Sequence, residues 1–115
     1  MDNSNDIERV QVHIDEVKAA IAFSEELERL NKVPEFESVI IKGFMQDEPA
    51  RLAQIITDPS LLDDENQKAM LGAFRAVGYL GDYLRNIEKR GIMLKAKLQE
   101  AEEYQENLRN PNKDD

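Results

Sequence analysis

The one histidine of this 115-residue chain is the first candidate for chemistry, because imidazole serves as a general base and as a zinc ligand near neutral pH. His13 has no partner at HxxxH or HExxH spacing, and the chain contains no cysteine. A histidine-based zinc site, a thiol nucleophile and a disulfide therefore lack their usual residues. Because His13 lies between the apolar positions Val10 and Ile14, we expect its ring to face solvent.

Two groups of carboxylates are the other candidates for an ion site. They are Asp63, Asp64 and Glu65, and Glu100, Glu102, Glu103 and Glu106. The positive end of a helix explains the first group, and a solvated helix face explains the second. Neither group has the alternating oxygen ligands and internal glycine of an EF-hand loop. We expect no metal site.

The sequence motifs of acyl transfer and nucleotide binding are missing. The chain has no GxSxG and no glycine-rich loop that ends in Lys-Ser or Lys-Thr. The sequence therefore predicts a protein that is not an enzyme, with no catalytic, cofactor-binding or metal-binding residue and no cofactor.

The net charge of −9 argues against general binding to nucleic acid, which needs clustered lysine and arginine. One basic island stands out, at Arg85, Lys89, Arg90, Lys95 and Lys97. We expect it to neutralise an acidic helix of the same chain, and a nucleic-acid-binding accessory role is an alternative. The acidic residues Asp2, Asp6 and Glu8, with the Glu100–Glu106 group, could instead imitate DNA phosphates, although a solubilising surface is the simpler interpretation.

Nothing in the sequence predicts membrane attachment. The N-terminus MDNSNDIERV has neither a basic start nor an apolar stretch, and no run approaches the roughly 18 apolar residues of a membrane span. We expect an unprocessed protein without a membrane span.

Apolar spacing predicts an all-α fold. A first helix should run from Ser4–Asp6 to about Lys32, with Ile7, Val10, Ile14, Val17 and Ile21 on its buried side. Ala20, Phe23, Leu27 and Leu30 continue the rhythm one position earlier, so the buried side should rotate. Two short helices should follow: one over about 35–45, behind Pro34, and one that Asp47 caps, with Pro49 in its first turn.

A long helix is predicted over about 64–109, because one apolar seam runs through it at intervals of three and four residues. The seam consists of positions 70, 73, 77, 80, 84, 87, 91, 94, 98, 101, 105 and 108. We expect the first helix to pack antiparallel on its distal part, with Ile7 across from Leu108 and Leu27 across from Glu88. The whole chain should form a single helical domain, 1–115, with frayed tails at 1–5 and 110–115.

Four glycines, at 72, 78, 81 and 91, interrupt this predicted helix, although each costs about 1 kcal/mol relative to alanine in a helix interior. We interpret Gly78 and Gly81 as places where a short helix approaches closely, with Phe36, Phe44 or Ile55 above them. Gly91 lies in the seam itself. A continuous helix through Gly91 is favoured over a break at 90–92.

The run AIAFSEELERLNKVPEFESVIIKGFMQDEPARLAQIITDPSL, followed by AVGYLGDYLRNIEKRG, resembles small uncharacterised acidic helical proteins of tailed bacteriophages. The resemblance covers roughly residues 19 to 104 and brings no catalytic residues with it. It implies a virion component, an assembly factor or a host-directed accessory protein, located in the host cytoplasm or in the virion.

These observations predict a non-enzymatic protein-interaction module, a helical bundle with coiled-coil packing that serves virion assembly. Because the seam of the long helix exceeds the length of the first helix, we expect partner-binding residues at Leu80, Tyr83, Leu84, Arg85, Lys89 and Arg90. The partner is a protein, and self-association as a homo-oligomer is one form that this interaction can take. The alternative is an acidic inhibitor of a host nucleic-acid enzyme.

Overall fold

The chain folds into helices alone within the residues that the structure, a computed structural model, describes: 4–58, 60 and 63–111. The elements are α1 (Ser4–Asn31), α2 (Pro34–Phe36), a π-helix (Glu37–Asp47), α3 (Glu48–Ile56) and α4 (Asp64–Arg109). The predicted all-α class is confirmed, with a long N-terminal and a long C-terminal helix and shorter helices between them.

Two compact units divide the chain. The first contains the residues up to Leu27 and those from Ile87 onward, and the second contains Glu28–Asn86. Below we call the first the hairpin unit and the second the middle unit.

Within the hairpin unit, α1 and α4 pack antiparallel in the predicted register. The Gln105 side-chain amide donates hydrogen bonds to the Ile7 carbonyl, at 3.3 Å, and to Gln11 Oε1, at 3.0 Å. Ser24 lies against Gly91 at the other end of the unit. In an antiparallel helix pair, residues that lie opposite each other have residue numbers with a constant sum. This sum is the same for the Ser24–Gly91 contact as for the predicted Ile7–Leu108 pair, so the register is the predicted one.

The buried side of α1 is confirmed over its first five turns and differs from the prediction after Ile21. Ser24 is buried, whereas Phe23 and Leu30, which the rotated pattern placed inside, are 48% and 42% exposed. The predicted rotation is therefore wrong at these two positions. Serine carries no hydrophobic signal, and Ser24 can be buried because its hydroxyl donates to the Ile21 carbonyl at 2.7 Å.

The long C-terminal helix is continuous from Asp64 to Arg109, as predicted, with no break at Gly91. Asp63 caps it, because its carboxylate accepts a 2.7 Å hydrogen bond from the Asn66 backbone N–H. Every seam position from Met70 to Leu108 is buried or half-buried. The predicted seam therefore describes the inner side of α4 along its whole length.

The middle of the chain differs from the two separate short helices that were predicted. Pro34 begins a helix, as expected, but the winding becomes π-helical over Glu37–Asp47 and continues into α3 without a break. Asp47 has helical backbone angles and makes no side-chain capping bond, so its predicted role as a cap is wrong. Pro49 would kink or break a regular α-helix that ran through it, because proline lacks an N–H and clashes with the carbonyl four residues back. In the structure Pro49 follows a change from π to α winding.

The predicted frayed tails lie only partly within the described residues. Ser4 and Asn5 belong to α1, which begins within the predicted range Ser4–Asp6. Asn110 follows the end of α4, and its amide side chain donates to Glu106 Oε1 at 2.7 Å. The rest of both predicted tails lies outside the described residues.

Candidate functional site

The predicted partner-binding residues of the middle unit differ in their accessibility. Leu80 and Leu84 belong to the seam and are half-buried, whereas Tyr83 is 48% exposed. Arg85 is exposed and forms an ion pair with Asp82, one turn earlier on α4. Tyr83 is therefore the most accessible apolar group of this predicted set.

The predicted residues Lys89 and Arg90 belong to the hairpin unit and are exposed on α4. Lys95 and Lys97, which complete the basic island, are exposed as well. Their exposure leaves these ammonium and guanidinium groups in contact with water, where a single ion pair contributes little to stability. Lys89, Arg90, Lys95 and Lys97 are thus solvated surface residues of the hairpin unit, whereas Arg85 belongs to the middle unit.

A second surface on α4, which the sequence did not single out, lies on the side of the helix away from the seam. We call it the outer face. Its residues are exposed and lie three or four positions apart, except for the adjacent pair Gly78 and Tyr79. They are Leu71, Arg75, Gly78, Tyr79 and Asp82. Tyr79 is 76% exposed, the largest exposed fraction among the large apolar side chains described. Leu71 is 49% exposed on the same side.

The glycines of the middle unit show which side of α4 its other helices cover. A Cβ added at Gly81 would lie 3.3 Å from Met45 Cε, so this buried glycine permits close packing of the π-helix. The predicted close approach at Gly81 is therefore correct, although Met45 rather than Phe36, Phe44 or Ile55 makes it. A Cβ at Gly78 would meet nothing within 4 Å, so the predicted approach at Gly78 is wrong.

The hairpin unit carries a shallow groove of about 430 Å³ between α1 and α4. Its lining residues are Arg9, Val10, His13, Lys97, Glu100, Ala101 and Tyr104. His13 is exposed at this groove, as predicted. The groove mixes two cations with one carboxylate and an aromatic ring that is 56% exposed. Its side chains can form polar and aromatic surface contacts.

A buried polar network fixes the distal end of the hairpin. Gln105 is only 6% exposed, and its amide nitrogen is shared between the Ile7 carbonyl and Gln11 Oε1. Gln11 in turn donates to Asp15 at 2.9 Å. The sequence identified position 105 only as a member of the seam, and the hydrogen-bond partners of Gln105 become visible in the fold.

Local partners at the surface lower the pKa of two carboxyl groups. A hydrogen bond from Arg51 lowers the pKa of the Glu48 carboxyl, and hydrogen bonds from Ser60 lower the pKa of Asp58. The described residues contain no group of three or more histidine, cysteine, aspartate or glutamate side chains that could hold a metal ion. Among the described helices, none is both long and apolar enough to cross a membrane.

Comparison with known proteins adds no assignment. No family model matches the chain, and neither a curated protein nor a solved structure matches it significantly. The resemblance to phage proteins thus stays a prediction.

Proposed function

We propose that the protein is a non-enzymatic interaction module that serves as a structural or assembly accessory in phage particle formation. The exposure of aromatic side chains on α4 carries this proposal. Tyr79 and Tyr83 are 76% and 48% exposed although the seam of the same helix already has its neighbours within the fold. Exposed aromatic rings are enriched at protein interfaces, because they bury much apolar area with little loss of side-chain freedom.

The surroundings of Tyr83 support a protein partner over nucleic acid. Asp82, which directly precedes Tyr83 on α4, is ion-paired with Arg85. A nucleic-acid surface would need unpaired cations beside the aromatic ring. A protein surface with mixed charge matches this composition better.

The acidic alternative, mimicry of DNA, has weaker support. The exposed carboxylates Asp6, Glu8, Glu102 and Glu103 belong to the hairpin unit, but Arg9 and Lys97 line a groove of the same unit together with Glu100. These cations interrupt the continuous negative surface that a phosphate-like array requires. If this alternative were right, high salt would release the captured enzyme.

Site-specific photo-crosslinking in the native host tests the proposal. A benzophenone amino acid replaces Tyr83 in one variant and the exposed Lys18 on α1 in a matched control. We expect the variant at position 83 to crosslink one defined particle or assembly protein and the variant at position 18 to give no such product. Identical products from both positions, or a nucleic-acid adduct at position 83, would contradict the proposal.

The genes beside its own provide an independent test. Neighbouring capsid, portal or terminase genes would support an assembly role. Neighbouring early genes for takeover of the host would contradict that role and favour the inhibitor.

A further inference from the structure

We propose that the outer face of α4 binds a second copy of this chain in an antiparallel, two-fold arrangement. The inference rests on the proposed function as an interaction module and names one partner for it. The surface is formed entirely by one helix of the middle unit, so its residues have a fixed spacing relative to one another.

Exposed apolar groups are the first argument. Tyr79 and Leu71 are 76% and 49% exposed, and the backbone at Gly78 has no neighbour within 4 Å of where a side chain would begin. A glycine in an exposed helix interior is destabilising relative to alanine. Here no contact within the middle unit requires that glycine, whereas close approach of another helix would.

Charge complementarity identifies the occupant as a second copy. Arg75 stands one turn before the centre of the outer face, and Asp82 stands one turn after it. If two α4 helices pair antiparallel about an axis between residues 78 and 79, each Arg75 lies level with Asp82 of the other copy. A two-fold interface must be self-complementary in this way, and the arrangement forms the same ion pair twice.

The side chains involved are available for these contacts. Asp82 is paired with Arg85 on its own helix, but its side chain is 71% exposed, and such a surface pair contributes little to stability. Within the described part of the chain, Arg75 has no ion-pair partner. At the centre, Gly78 lets the two backbones approach, so that each Tyr79 ring can pack on the helix of the other copy.

The extent of the face sets the strength of the dimer. Its residues span 12 positions, from Leu71 to Asp82, or about three turns of one helix. An interface of this size lies below the usual area of a permanent dimer, so the association should be weak and concentration-dependent. It would act where many copies are held close together, as in an assembling particle.

Charge reversal with mixing tests the pairing. Arg75→Asp and Asp82→Arg should each weaken self-association at least about tenfold in sedimentation velocity over a concentration series, because each single variant places like charges face to face. An equimolar mixture of the two variants should regain association, since the reversed charges then complement each other. Both positions are exposed, so circular dichroism should report unchanged helicity.

Net charge provides a sharp control. Asp82→Arg changes the formal charge from −9 to −7 and would strengthen association if general repulsion alone governed it. Lys18→Asp, on the exposed surface of α1, matches the charge change of Arg75→Asp and should leave association unchanged. Gly78→Leu is a third variant, which should block the close approach while favouring the helix.

The outcomes separate this inference from the proposed function. A wild-type chain that stays monomeric, single variants that associate like the wild type, or a mixture that fails to regain association would each overturn the two-fold pairing. A monomeric wild type that still crosslinks a defined protein from position 83 would leave the interaction module intact. Failure of both experiments would remove both proposals.

Discussion

Gly91 and Ser24 determine how closely α1 and α4 approach in the hairpin unit. Both residues are buried, and a Cβ added at Gly91 would lie 2.6 Å from Ser24 Cβ and nearer still to its hydroxyl oxygen. Ser24 has little freedom to move, because its hydroxyl is bound to the Ile21 carbonyl of its own helix. The glycine therefore provides the space that the serine occupies.

Gly91→Ala should lower the free energy of unfolding by about 1–2 kcal/mol, because overpacking of a well-filled core outweighs the gain in helix propensity. Denaturant unfolding followed by circular dichroism measures the change. Gly72→Ala is the matched control: no atom lies within 4 Å of the added methyl, so stability should rise by about 0.5–1 kcal/mol. Adding Ser24→Gly to the Gly91→Ala variant should recover part of the loss. Equal effects at positions 72 and 91 would refute the close contact.

Gln105 offers a second test, because its buried amide donates to two acceptors, the Ile7 carbonyl and Gln11 Oε1. Gln105→Glu keeps the shape but places a carboxylate against both acceptors, which should cost about 3 kcal/mol at neutral pH. Burial should raise the pKa of the introduced group, so stability should recover as the pH falls and the carboxyl becomes a neutral donor.

The measurement is the unfolding free energy of this variant between neutral and mildly acidic pH, relative to that of the wild type at each pH. Gln67→Glu, on the exposed first turn of α4, is the control and should change little. A pH-independent loss in the Gln105→Glu variant would mean that lost packing, and not the unpaired charge, destabilises it.

Among the helices, α4 depends on its cap at Asp63. The carboxylate accepts hydrogen bonds from the Asn66 backbone, at 2.7 Å, and from its side-chain amide, at 3.2 Å. Asp63→Ala should lower the unfolding free energy by about 1 kcal/mol. Asp63→Asn should lower it much less, because asparagine is an equally good cap. Thermal unfolding compares the three proteins. An equal loss in both variants would indicate that charge near the helix end, rather than capping, is the stabilising factor.

Helix spacing was predictable from the sequence, and the kind of helix was not. The three-four series from Met70 to Leu108 identified the inner side of α4, because only a continuous helix keeps those positions on one side. The π-helix at Glu37–Asp47 could not be recognised, since a short apolar group such as Phe36, Val39 and Ile40 suits either winding. Pro49 indicated that regular α-helical winding is interrupted near this position, but it did not indicate that a π-helix precedes it.

The candidate site was predictable only in part, because exposure depends on what the rest of the chain covers. Tyr83 was identified as a contact residue, whereas Tyr79 was not. The short helices of the middle unit pack beside Gly81 through Met45 and leave Gly78 open. A sequence pattern reveals that two glycines share a helix, but it does not reveal which one has a neighbour.

The two units of the molecule should differ in local stability. The hairpin unit buries Ile14, Val17, Ile21, Leu27 and Leu94, whereas no residue of the π-helix is fully buried. Hydrogen exchange measured by mass spectrometry should therefore show faster exchange over Glu37–Asp47 than over the segment of α1 from Ile14 to Leu27. Equal protection in the two segments would mean that the chain opens only as a whole.

The position of Gln105 has a consequence for biosynthesis. Its hydrogen bond to Ile7 joins residues 98 positions apart, and the rest of the hairpin unit likewise combines the first and last parts of the chain. During translation the N-terminal helix emerges from the ribosome long before the segment that covers it has been made. Its apolar side must stay uncovered until the segment around Gln105 has been made, so chaperones or neighbouring nascent chains have access to it during that interval.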